Sequence, residues 1–206
     1  MAPRDNYLLQ AQQAKQHFLT YDQMRLARKL RAAYDGNFIY VNLLCQPYRI
    51  HRATGDIEKQ VGDAWTDGNR YEEVMTLLDL VCDSREDRFL TGRWQNMEAF
   101  GHMFHRSLLE EARDPTAERY DRDPEGLERA LQALNGRKIP GGDIGCAVEL
   151  FDGLEIGLQF WRGDEEFAPR LRYLWDENAN MYLRYETMYF ATSLLRRRIG
   201  EILEKE

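Results

Sequence analysis

The sequence predicts an α+β fold: an antiparallel sheet, built from a hairpin near residues 38–52 and a meander near 146–175, packed with N-terminal, central and C-terminal helices. Three observations predict it. Apolar residues recur at helical spacing in several separate segments. Two other stretches are short, aromatic and β-branched, and are bounded by Gly, Pro and Asp. Helices and strands come in blocks rather than in strict alternation, which is the α+β pattern. With 206 residues, 43% of them apolar, the chain can bury a core without disulfide or metal. A single domain over 1–206 is expected, with 1–36 a helical N-terminal extension and 37–206 an α+β core.

Residues 5–19 set Tyr7, Ala11, Ala14 and Phe18 on one helical face, with Leu8 and Leu19 beside them. Thr20-Tyr21-Asp22-Gln23 has capping-box spacing and restarts a helix. Met24, Ala27, Leu30 and Tyr34 line its apolar face, and Gly36 suits the left-handed position that ends helices. Phe38–Leu44 and the alternating Tyr48-Arg49-Ile50-His51 read as a hairpin broken at Gln46-Pro47, with Thr54-Gly55-Asp56 as the next turn. Residues 57–67 carry no decisive period. Asn69-Arg70-Tyr71-Glu72 offers a cap to a helix that carries Val74, Leu77, Leu78 and Val81 inward.

Residues 84–96 read as loop, centred on Thr91-Gly92-Arg93-Trp94. A helix over 97–112 stacks Met97, Phe100, Phe104 and Leu108. The segment 113–125 is mostly charge and proline and is expected to be exposed. Asp123-Pro124 opens a short helix with Leu127, Leu131 and Leu134 inward, ended by Asn135-Gly136. After a turn at 140–143, Ala147–Phe151 and Leu154–Trp161 pair across Asp152-Gly153, a strong two-residue hairpin signal. Arg170–Trp175 is a third strand. A helix from about Tyr185 to Leu203 closes the chain, with Met188, Leu195, Ile199 and Ile202 on its buried stripe.

The formal charge is −7, which disfavours a nucleic-acid partner. Residues 1–34 are locally basic, with six basic and two acidic residues, but no aromatic platform is interleaved with them. No apolar run approaches the roughly 20 residues that a bilayer span needs, so no membrane partner is expected. The N-terminus shows no secretory pattern, and Cys45, Cys82 and Cys146 stand alone, which suits a reducing cytoplasm. Without a C-x-x-C pair there is no iron–sulfur or zinc motif, and the identity of any cofactor stays open. Cys82, in an apolar helical run, reads as core packing.

The segment Gln159–Pro169, continued by Arg170–Asn178, is the most distinctive. Trp161, Arg162, Asp164, Glu165, Glu166, Phe167, Arg170 and Trp175 are its candidate binding residues. Alternation sends Leu158 and Phe160 to one face and Gln159 and Trp161 to the other, so either a second layer covers the outer face or an aromatic groove lies open. The acids invite a paired-carboxylate or divalent-cation reading. However, Asp176 and Glu177 lie about 20 Å from the loop acids along paired strands at 3.3 Å per residue, so no shared metal is expected. Asp176-Glu177-Asn178 is also ordinary turn chemistry. His102 and His105 are three apart, within reach of one metal on a helix, but they lack the H-E-x-x-H pattern and read as a structural pair. The stretch 141–145 is neither a P-loop nor a dinucleotide fingerprint, and no G-x-S-x-G elbow occurs.

Leu158–Pro169, with Leu174-Trp175-Asp176-Glu177-Asn178 and Tyr182-Leu183, resembles the C-terminal signature of a prokaryotic family, domain-of-unknown-function family 3786, found largely in anaerobes. The stretch from Val74 through Thr91-Gly92-Arg93-Trp94 to Phe104 is similar to its central segment, and the resemblance covers about residues 38–200. Some members carry an added cysteine-rich iron–sulfur module at the N-terminus. Here residues 5–34 are helix-like and hold no cysteine cluster, so the resemblance implies neither a cluster-linked role nor a catalytic residue.

The expected function is a cytosolic accessory domain that binds a small molecule or a protein partner through the surface near Trp161–Pro169. The alternative is a hydrolase or transferase, with or without a divalent metal. Glu165 or Glu166 would then be the base and Arg162 or Arg170 the electrostatic partner. That alternative requires these groups to line a cleft.

Overall fold

The computed structural model describes residues 3–100 and 114–204, which form six helices and two antiparallel sheets. The α+β class stands, with the hairpin and the meander in separate sheets. Two compact units emerge, residues 1–89 with 181–191 and residues 90–180 with 192–206.

The first unit opens with α1 (Pro3–Leu19) and α2 (Gln23–Leu30). Phe18 is fully buried, whereas Tyr7 and Leu8 at the start of α1 are exposed. The cap of α2 is Asp22, whose carboxylate accepts from the Met24 and Arg25 amides at 3.0 and 3.1 Å. Thr20 instead turns its hydroxyl back to the His17 carbonyl. Arg31 takes the left-handed conformation (φ 53°) and ends α2, so Gly36 terminates nothing and Tyr34 lies exposed beyond the helix.

A four-stranded meander follows: β1 (Phe38–Leu43), β2 (Gln46–His51), β3 (Ile57–Val61) and β4 (Ala64–Asp67). The first turn is Leu44-Cys45, with φ of 50° and 57°. Gln46-Pro47 is therefore not a break but the start of β2. Pro47 is tolerated because β2 pairs with β3 only from Tyr48 to Ile50. On the open face the Arg49 guanidinium lies 4.1 and 4.5 Å from the Phe38 and Trp65 ring centroids and 2.5 Å from Glu58. Helix α3 (Tyr71–Asp83) buries Val74, Leu77, Leu78 and Val81 as expected. No side chain caps it at Arg70. Asn69 instead bonds both backbone groups of Ile57 at 3.0 Å, fastening the start of β3.

The second unit holds β5 (Trp94–Asn96), a 3-10 turn at Met97–Phe100, α4 (Pro115–Arg122), α5 (Pro124–Ala133), β6 (Arg137–Lys138), β7 (Ile144–Phe151), β8 (Leu154–Trp161) and β9 (Arg170–Asp176). The sheet order is β5-β9-β8-β7-β6. Helix α6 (Tyr185–Leu203) follows a 3-10 turn at Ala179–Met181 and passes from the first unit into the second after Ala191. Met188, Leu195 and Ile199 are fully buried; Ile202 is half-buried.

Two expectations need correction. The supposed loop 84–96 contains β5, an edge strand pairing Trp94 with Asp176. The charged segment 113–125 contains α4, capped by Asp114 with Pro115 in its first turn, and it buries Ala117 and Tyr120. Tyr120 meets Phe160 edge-on at 6.4 Å, so one apolar pair suffices to seat this helix despite its charge. Beyond Phe100, the helix expected to 112, with Phe104, Leu108, His102 and His105, lies outside the described residues.

Candidate binding site

Register decides which face each candidate residue takes. Trp161 pairs with Arg170 and Gln159 with Arg172, so Trp161, Arg170 and Arg172 share one face of the β8–β9 hairpin. Ile156, Leu158 and Phe160 occupy the other face and are fully buried, with Trp175 opposite Ile156. Trp175 is therefore a core residue and takes no part in a binding surface. The guanidinium carbons of Arg170 and Arg172 stand 5.7 and 5.2 Å from the Trp161 ring centroid.

Asp164 organises the connecting loop, its Oδ1 accepting from the Glu166 and Phe167 amides at 2.8 and 2.7 Å. That is an Asx-type turn and occupies one of its carboxylate oxygens. Glu165 and Glu166 are exposed at the loop, and Phe167 is 69% exposed. Asp121 fixes the loop base, accepting from the Gly163 amide at 3.1 Å with Arg162 3.8 Å away. Asp176, at the far end of β9, accepts from Thr91, Gly92 and Asn178. The loop acids and Asp176 are at opposite ends of the hairpin, and the Glu165 and Glu166 side chains are exposed.

A groove of about 400 Å³ lies beside this hairpin. Leu131, Ile139, Ile144 and Cys146 give it an apolar floor, and Glu128, Gln132, Lys138 and Asp143 supply polar groups. Its lip is the glycine-rich loop 140–145. A β-carbon on Gly142 would collide with the Phe160 carbonyl, and one on Gly145 with the Ile139 carbonyl, so the loop lies flat against its neighbours. Gly142 also has φ +77°. Three bonds of 2.8 Å lace the groove to the hairpin: Asp143 accepts from the Arg162 amide, the Asp143 amide donates to the Phe160 carbonyl, and Gln159 donates to the Pro140 carbonyl. Testing residues 141–145 only against phosphate-loop patterns misses this groove. The usable signal is the density of glycines at 136, 141, 142 and 145 around a turn.

The first unit holds a chain of polar side chains, anchored on the buried Asp79, that the sequence does not announce. Tyr21 donates to Asp83 at 2.8 Å and lies 3.1 Å from His17 Nε2. Arg184 bonds Asp79 at 2.8 Å and approaches Asp83 at 3.5 Å. Burial, more than its neighbours, raises the pKa of Asp79, and burial aided by Asp83 pushes the Tyr21 phenol up to about 12. The adjoining cavity is about 30 Å³, room for one water and not for a substrate.

Burial also pushes the Cys82 thiol up to about 12 and Cys146 up to about 11, so at pH 8 both are protonated and poor nucleophiles. Cys45 is half-buried. Iodoacetamide at pH 8 is expected to alkylate the native protein at Cys45 alone and the urea-unfolded protein at all three cysteines. Intact-mass and peptide analysis check this; rapid native alkylation of Cys82 would show that its burial is wrong.

The described residues contain no group of three or more His, Cys, Asp or Glu placed to hold a metal, and no helix long and apolar enough to cross a membrane. The fold defines an α+β protein with two antiparallel sheets and a groove at the edge of the larger one. The chain belongs to the family described as Domain of unknown function (DUF3786), whose model matches residues 22–198. The match begins before the expected residue 38 and takes in α2. No curated protein and no solved structure matches the chain.

Proposed function

We propose that the chain is an accessory domain that binds a small molecule in the groove between α5 and the 140–145 loop. Of the residues expected to bind, Arg162 adjoins the groove through its amide bond to Asp143, and Trp161, Asp164, Glu165, Glu166, Phe167 and Arg170 lie on the hairpin and loop beyond it. The groove carries this reading: its 400 Å³ falls within the roughly 300–1,000 Å³ of small-molecule sites, and its lining, rather more polar than apolar, suits a polar ligand. The absence of a disulfide among the described residues supports a reducing, cytoplasmic setting for it.

Native mass spectrometry of gently purified protein tests the reading. Wild type is expected to retain a small-molecule mass. Gln132→Trp, a change at an exposed α5 position that fills the groove, is expected to lose that mass while melting within about 2 °C of wild type, as surface changes usually do. A bare mass from wild type, or equal retention by the folded variant, would sink the proposal.

A further inference from the structure

We infer that the outer face of the β8–β9 hairpin is a second site, for the phosphoryl group of a small molecule, held by Arg170 and Arg172 on the Trp161 ring. The chain has 35 acidic and 28 basic residues, and many of its described arginines pair with a carboxylate. Arg25, Arg49, Arg85, Arg93 and Arg137 each have one. Arg170 and Arg172 meet none among the described residues and contact only the Trp161 ring. The acid nearest in register, Asp143, accepts from the Arg162 amide, and farther along the same face Glu155 pairs with Arg137. Glu165 and Glu166 form no ion pair with either arginine.

Two cations on one ring repel each other, and no carboxylate among the described residues forms an ion pair with either. The ring attracts each guanidinium through its quadrupole and limits its rotamers, so both are partly ordered before an anion arrives. Each guanidinium presents a planar fork of N–H donors suited to phosphate oxygens. A pair carrying +2 matches the charge of a phosphate monoester dianion. The site is separate from the groove, whose lining includes neither arginine nor Trp161.

Calorimetric titration of the full chain with inorganic phosphate and with phenyl phosphate, at low salt, tests this. Saturable one-to-one binding is expected. It should weaken at least tenfold in Arg170→Gln/Arg172→Gln, and stay unchanged in Arg28→Gln, an exposed arginine elsewhere, and in Gln132→Trp. Arg172→Lys keeps the charge but not the fork, and should weaken binding several-fold while preserving the fold. Tighter binding of phenyl phosphate would identify an ester as the ligand; equal binding would identify free phosphate. No saturable binding by wild type, equal binding by the folded double variant, or an equal loss in Arg28→Gln would overturn the inference.

Discussion

Asp176→Ala is expected to destabilise the protein by about 3–5 kcal/mol, because several hydrogen bonds to a charged group, each worth about 1.5–3 kcal/mol, are lost together and partly replaced by water. The carboxylate is 7% exposed and accepts from the amides of Thr91, Gly92 and Asn178 at 3.0, 2.7 and 2.9 Å, with the Thr91 hydroxyl at 3.3 Å. It thereby fastens the segment before β5 to the end of β9, where Trp94 pairs with Asp176 and Arg93 pairs with Glu177. Truncation leaves three amides without their acceptor, and a buried donor left unmade costs more than a made bond contributes. Asp176→Asn retains one acceptor oxygen and should cost about half as much. Urea unfolding followed by circular dichroism measures both. A loss under about 1 kcal/mol for the alanine variant, typical of a surface site, would mean that the clamp does not hold in solution.

Trp175→Ala should cost a similar 3–5 kcal/mol, as large-to-small changes at buried aromatic positions do. Trp175 is fully buried, opposite Ile156 in the sheet. Its indole N–H meets no acceptor among the described residues. Trp175→Phe therefore removes volume together with an unsatisfied donor and should cost distinctly less than alanine. The same urea experiment separates the two; equal losses would show that the N–H has a partner after all. Neither change should affect phosphate binding by the folded protein, because Trp175 lies on the opposite face of the sheet from Trp161.

The two predictions mark where the sequence is informative. Period-two alternation places Trp161 and Phe160 on opposite faces, and the register confirms it. Alternation does not say which face is covered, so Trp175 stands among the surface candidates although it is core. The Asp152-Gly153 hairpin and α6 are legible because turn chemistry and a long apolar stripe are local signals. Helix α4 is obscured because only Ala117 and Tyr120 face inward among eight mostly polar residues. Strand β5 is three residues long and exists only through pairing with β9, some 80 residues away, which no local window contains. The groove is equally non-local, since it needs α5, β6 and β7 to converge around the glycine loop.

The Leu44-Cys45 turn has a kinetic consequence. Both residues are held at positive φ without being glycine, at roughly 1–2 kcal/mol each. Leu44 is 2% exposed, so burial of its side chain is what offsets that strain. A tight turn ordinarily lets a hairpin form early, since it closes the shortest loop in the sheet. Here the turn becomes favourable only once the surroundings of Leu44 have assembled. The β1–β2 hairpin should therefore form with its core rather than ahead of it, later than the equally local β3–β4 pairing.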